Sequence, residues 1–137
     1  MKAKWPKITG LVLHILIAAL MLFAGSMKVL GLFPADELKK LGHIGDVIWL
    51  IGAGEIITAI LLVIPRTSSL GILLASGFWG GAICFHMSRN EPYLVQSALL
   101  LLTWVGAYLR IPATFASFFG SPAAARNAAE ESAPVLQ

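Results

Sequence analysis

Val47–Ile64 reads VIWLIGAGEIITAILLVI, eighteen residues in which Glu55 is the only charged group. A run of that length is close to the roughly 20 mostly apolar residues that a helix needs to cross a bilayer. An ionised carboxylate near mid-membrane costs about 2.5–3.5 kcal/mol on insertion scales, so a chain that keeps one needs a partner or a use for it. The candidate partner is Lys28, which sits late in the first apolar run, Ile8–Phe33, among apolar neighbours.

The rest of the chain fits a membrane setting. Its 137 residues are 58% hydrophobic and only 12% charged, with a mean hydropathy of +0.82. A soluble domain carries about 25% charged residues. The expectation is an integral membrane protein of one domain, too short to contain two inverted transporter repeats and without an internal repeat. The net charge of +3 is spread over chain ends and loops, as topology signals are, and does not point to nucleic acid. Lys2, Lys4 and Lys7 precede the apolar core Ile8–Ala24, and Ala24-Gly25-Ser26 resembles a cleavage site. That core of seventeen residues is longer than the 7–15 or so of a signal peptide, so a retained helix is expected. Cys84 is the single cysteine, which excludes an intrachain disulfide and reads as a small packing residue.

Four apolar stretches predict an all-α fold, a four-helix transmembrane bundle: Ile8–Phe33, Val47–Ile64, Leu70–His86 and Tyr93–Leu109. Turn and charge signals separate them, at Pro34-Ala35-Asp36-Glu37, Pro65-Arg66-Thr67 and Arg89-Asn90-Glu91-Pro92, and Arg110-Ile111-Pro112 closes the last. Asp36–His43 reads as a short interfacial helix. Residues 1–112 form the membrane domain and 113–137 a largely disordered tail, with Ser121–Gln137 poorest in core-forming residues. With four spans both termini share a side, which then holds Lys2, Lys4, Lys7, Arg66, Arg110 and Arg126 against Lys39, Lys40 and Arg89. The excess of positive charge predicts both termini in the cytoplasm. Trp5, Trp49 and Tyr93 lie at span ends, as interfacial aromatic residues do.

This topology puts Lys28, Glu55, His86 and Gln96 in the outer half of the bundle, one from each span. His14, Ala18, Met21, Gly25 and Lys28 share one helical stripe, and Gly52, Glu55 and Thr58 share another. Gln96, Leu100 and Thr103 do the same on the fourth span. Gly77 and Gly81 have the spacing that lets helix backbones approach, as do Gly80 and Cys84, and are expected to serve helix packing or an oligomer contact. Two readings of Lys28 and Glu55 stay open: a buried structural ion pair, or part of a pocket that binds a ligand or handles protons. His86 can titrate near neutral pH. His14 reads as hydrogen-bonded structure. The histidine spacing supports neither haem nor a di-metal site, and a CxxC pair and a phosphate-binding glycine loop are both missing.

The chain resembles the DoxX-like family of small four-helix bacterial membrane proteins. The likeness rests on Ala24-Gly25-Ser26-Met27-Lys28, on Gly54-Glu55-Ile56-Ile57 with Leu61-Leu62-Val63-Ile64-Pro65, on Trp79-Gly80-Gly81-Ala82-Ile83-Cys84-Phe85-His86, and on Tyr108-Leu109-Arg110-Ile111-Pro112. It covers about residues 8–112 and carries over Lys28, Glu55 and His86. It implies a multi-pass protein of the bacterial inner membrane, associated with a quinone-linked or thiol-stress oxidoreductase system. On that reading the chain is a membrane subunit, binds no cofactor alone, and uses Glu55 as proton acceptor and His86 as hydrogen-bond partner to a quinone head group. Partners would be membrane lipid, oxidoreductase subunits or further copies of the chain. A non-catalytic lipid or small-molecule binding or assembly module is the alternative, and a small proton-coupled exporter the third.

Overall fold

A computed structural model describes residues 4–119, and these are helical apart from short connections. The helices are α1 (Trp5–Val29), α2 (Ala35–Leu41), α3 (His43–Asp46), α4 (Ile48–Val63), α5 (Ser68–Ser88), α6 (Leu94–Arg110) and α7 (Pro112–Phe119). Four of them, α1, α4, α5 and α6, form a ring in which each packs against its two antiparallel neighbours. Helices α1 and α5 are long and apolar enough to cross a membrane, whereas α4 and α6 are shorter apolar helices. The tail segment Ser121–Gln137 lies outside the described residues, as do Lys2 and Arg126. Helix α7 takes in residues 113–119, assigned to the tail from composition, and its Phe115 packs against the core.

Local chemistry sets the ends of the helices. Pro6 falls in the first turn of α1, where its missing N–H is no loss. The first apolar run continues to Phe33, but α1 stops at Val29. Gly31 adopts a φ of +69°, Leu32 N–H donates to the Met27 carbonyl and Gly31 N–H to the Lys28 carbonyl. This is a Schellman closure, which glycine favours because it lacks a Cβ. Lys28 therefore lies in the last turn of α1 rather than about five residues inside the span, as the longer run suggested. The interfacial helix expected over Asp36–His43 is present as two pieces, α2 and α3, broken at Gly42 with a φ of +57°. Asn90 closes α5 in the left-handed region, φ 54°, with Asn90 N–H donating to Met87 and Glu91 N–H to His86. Asparagine tolerates that conformation better than most residues.

The exterior is strongly apolar, and the interior is apolar but interspersed with polar groups. Its apolar part is small-residue rich, with Ala18, Ala59, Ala75 and Ala107 beside Met21, Leu62 and Ile72. Five polar residues, His14, Glu55, Thr58, Ser68 and Thr103, are buried with them. Large aliphatic and aromatic side chains such as Leu16, Phe23, Leu73 and Leu101 point outward. Contiguous apolar exteriors of this kind are rare on soluble monomers.

Close helix contacts occur where small residues meet. A Cβ on Gly71 would run into the backbone of Leu61 and Leu62, which seals the α4–α5 turn. Ser68 and Thr67 hydroxyls add to the seal by donating to the Ile64 and Leu61 carbonyls. The α5 glycines behave differently from the packing role that their spacing suggested. A Cβ on Gly77, Gly80 or Gly81 meets nothing within 4 Å, so among the described residues no helix backbone approaches there. The spacing puts two small residues on one face without saying what that face meets. Gly71→Ala should therefore destabilise the fold by about 1–3 kcal/mol, the usual cost of overpacking. Gly80→Ala should be neutral or slightly stabilising, because alanine is the better helix former. Thermal unfolding of both variants in nanodiscs checks the contrast.

Candidate functional site

The site begins with two glycines. A Cβ on Gly25 would stand 2.7 Å from the Gly52 carbonyl oxygen, and one on Gly52 would stand 2.6 Å from that of Gly25. Helices α1 and α4 thus touch backbone to backbone at one level. In a helix every Cα–Cβ bond leans toward the N-terminus. Lys28 lies three residues beyond Gly25 and Glu55 three beyond Gly52, and because the helices are antiparallel their side chains lean toward each other. The Lys28 ammonium donates to Glu55 Oε2 at 2.6 Å. Glu55 is 3% exposed, while the Lys28 side chain retains 15%. The glycines make the seat, since the Lys28 Cβ passes over Gly52 and the Glu55 Cβ over Gly25.

A second chain of polar groups joins α5 to α6. Gln96 Nε2 lies 3.0 Å from His86 Nε2, and the other ring nitrogen, Nδ1, lies 3.1 Å from Glu91 Oε2. Glu91 also accepts from Arg89 Nε at 2.8 Å. That hydrogen bond is the main reason its carboxyl is held below the ordinary carboxylate range. The Asn90 turn returns the chain so that Glu91 reaches back to His86. Arg89 meanwhile donates from Nη1 to the Lys40 carbonyl at 2.7 Å, tying α2 to the end of α5.

These two polar groups line one cavity of about 660 Å³, at the end of the bundle where α1 and α5 finish and α4 and α6 begin. Lys28, Glu55, His86 and Gln96, singled out from sequence, all belong to its wall. Gly77 and Gly81 belong to it too, and lacking side chains they leave its space open. Leu41 of α2 and Ile44 of α3 border it, as does Phe33. Trp79, Arg89 and Glu91 also belong to its wall, and sequence reasoning had not placed them there. Trp79 is 6% exposed and its indole Nε1 has no partner among the described residues. A tryptophan in an apolar span carries no sequence signal that separates core from cavity. Such a space, mostly apolar with a few convergent polar groups, has the size and character of small-molecule sites.

At the opposite end His14 belongs to a different cluster. Its Nε2 lies 3.1 Å from the Thr103 carbonyl oxygen, so Nε2 carries the proton and Nδ1 accepts from Arg110 Nη1 at 3.2 Å. The Arg110 guanidinium also donates to the Leu62 and Val63 carbonyls, at 2.8 and 2.7 Å. It thereby satisfies carbonyls that the end of α4 leaves open. His14 is hydrogen-bonded structure. Arg110, counted from sequence as a topology charge, is a structural tie.

Removing one member of the Lys28–Glu55 pair should cost more than removing both. Lys28→Met leaves a buried carboxylate without its partner, at about 3 kcal/mol or more, and adding Glu55→Leu should recover most of the loss. Protein abundance in the membrane and thermal unfolding in nanodiscs both report it. Equal losses in the single and double variants would contradict a simple pair.

No curated protein and no solved structure matches the chain. One family model does, over residues 12–108, which takes in α4 and α5 whole and most of α1 and α6. That span carries Lys28, Glu55, His86, Gln96 and Trp79, the residues that build the cavity wall, and the chain belongs to the DoxX-like family.

Proposed function

We propose that this protein is a four-span bundle of the bacterial inner membrane, with both termini cytoplasmic, whose outer cavity binds the head group of a small amphiphile. The membrane reading is supported by the outward-facing large apolar side chains and by α1 and α5 with their bilayer-compatible length. The orientation rests on the sequence count of Lys2, Lys4, Lys7, Arg66 and Arg126 on one side of the four spans against Lys39, Lys40 and Arg89 on the other. The carrying observation for binding is the cavity itself, where charged and neutral hydrogen-bonding groups from all four long helices meet an apolar wall.

Within this reading the protein serves as the membrane subunit of a quinone-linked or thiol-stress oxidoreductase system. Electron-carrying groups reside on a partner chain, and the cavity holds a quinone-type ring between Lys28–Glu55 and His86–Gln96. Glu55 is the proton acceptor on this account and Gln96 orients the ring. A non-catalytic binding or assembly module would use the same cavity without turnover. The Gly25–Gly52 seat favours that second reading to the extent that it makes Lys28–Glu55 part of the helix contact.

Native mass spectrometry of protein released gently from its own membrane, with lipid extraction alongside, tests the binding claim. The expected result is a co-purifying quinone or lipid that is lost in Glu55→Ala. A bare wild-type chain contradicts it. Glu55→Gln should then abolish quinone-dependent turnover of the assembled complex at unchanged abundance, and wild-type turnover would leave only the binding module.

A further inference from the structure

The connection between α1 and α4 borders the cavity without joining the core of the bundle. Helices α2 and α3 contain no buried residue. They hold each other instead. A Cβ on Gly45 of α3 would stand 2.6 Å from the Leu38 carbonyl oxygen of α2, so the two pack backbone to backbone. Helix α2 packs chiefly on α3, and α3 on the start of α4. The pair is therefore one small unit, hung from α1 by residues 30–34 and from α4 at Val47. Phe33, Glu37, Leu41 and Ile44 give the cavity part of its wall, with Phe33 and Leu41 half-buried, while Asp36, Lys39 and Lys40 are exposed.

What ties this unit to the far side of the cavity is Arg89. Among the described residues one side-chain hydrogen bond joins α2 or α3 to another part of the bundle, from Arg89 Nη1 to the Lys40 carbonyl at 2.7 Å. That carbonyl lies in the last turn of α2, where helical partners run out. Two contacts on its own side of the cavity aim the guanidinium. Its Nε donates to Glu91 at 2.8 Å, and its central carbon stands 5.4 Å from the centroid of the Phe85 ring. A planar fork held along one edge presents its other nitrogens in a fixed direction. Arg89 is thus set by the wall of the cavity and reaches across to the α2–α3 unit.

We infer that α2–α3 is a hinged lid over the cavity, that the Arg89–Lys40 hydrogen bond is its latch, and that the route from water into the cavity runs beneath it. Arg89 is a positioning residue in this device. With the latch formed, the apolar side of the lid stays on the wall. With it broken, the contacts of Phe33 and Leu41 and the two chain connections are what hold the lid. The inference needs the cavity but no particular ligand, so it stands or falls separately from the function proposed above.

The test places one thiol in the cavity wall, by Ala82→Cys in a Cys84→Ser background, in the full chain in lipid nanodiscs. Two probes compete for different routes. A hydrophilic oligo(ethylene glycol) maleimide arrives from water, and N-cyclohexylmaleimide arrives through the bilayer. The hydrophilic probe should react at least about tenfold faster in Arg89→Ala than with Arg89 present, the shift expected from losing one charge-assisted hydrogen bond. Arg89→Lys should match Arg89→Ala although it keeps the charge, because a single ammonium lacks the fork that spans Glu91 and Lys40. The lipid-soluble probe should react at nearly the same rate in all three. Leu41→Ala loosens the lid from its own side and should also speed the hydrophilic probe, which keeps the test open if the Arg89 variants fold poorly. A wild-type rate in Arg89→Lys would reduce Arg89 to a surface charge and overturn the latch. Equal acceleration of both probes would mean a general loosening of the bundle and overturn it as well. A thiol at position 82 that reacts, with Arg89 present, as fast as one introduced by Lys39→Cys would mean that no lid covers the cavity.

Discussion

Everything at the candidate site depends on how closely α1 and α4 can approach. Two backbones touch where Gly25 faces Gly52, and no side chain could stand between them. The antiparallel direction of the helices then aims Lys28 and Glu55 at one another across that contact. In a bilayer, lipid tails are as apolar as leucine, so helix association leans on packing and on hydrogen bonds between helices rather than on hydrophobic burial. A glycine contact that also seats an ion pair combines both. It further makes the pair a wall of the cavity, because the long Lys28 side chain lies along the space that α5 leaves open at Gly77 and Gly81.

The fold has two polar ends with different tasks. At one end Arg110, His14 and Thr103 satisfy one another and the last carbonyls of α4, with Gly106 giving the His14 ring its place. That end is closed. At the other end Lys28 and Glu55 are paired, but the buried Trp79 Nε1 and Gln96 Oε1 have no hydrogen-bond partner among the described residues, and both residues line the cavity. The contrast within one small bundle is the physical ground for placing function at the second end. The connection formed by α2 and α3 borders that space, and has no buried residue of its own. Its tie to α5 runs through the Arg89 hydrogen bond to Lys40.

Much of this was legible in the chain. Apolar runs broken by proline and charge marked all four long helices, and the three- and four-residue spacing put His14, Ala18, Met21, Gly25 and Lys28 on a face that is largely buried. One charged residue in Val47–Ile64 was enough to pair Glu55 with Lys28. What escaped was long-range. Gly25 and Gly52 are each unremarkable in their own helix, and only antiparallel docking makes them partners. Gly77 and Gly81 carried the spacing associated with packing and instead leave a space. Arg110 looked like a topology charge because its carbonyl partners lie 47 and 48 residues away. The end of α1 was overrun because Leu30, Leu32 and Phe33 continue the apolar run beyond the turn that Gly31 makes.

The account stands on the Lys28–Glu55 contact being formed in a bilayer. Solid-state NMR on protein in lipid, labelled at the lysine side-chain nitrogen and the glutamate side-chain carbon, measures it through their dipolar coupling. The predicted result is a lysine–glutamate coupling consistent with the 2.6 Å N···O separation that is lost in Lys28→Met, leaving only that of the exposed Lys40–Glu37 pair. A wild-type spectrum without that coupling would mean that α1 and α4 do not meet at Gly25 and Gly52 as described, and the cavity built on their contact would fall with it.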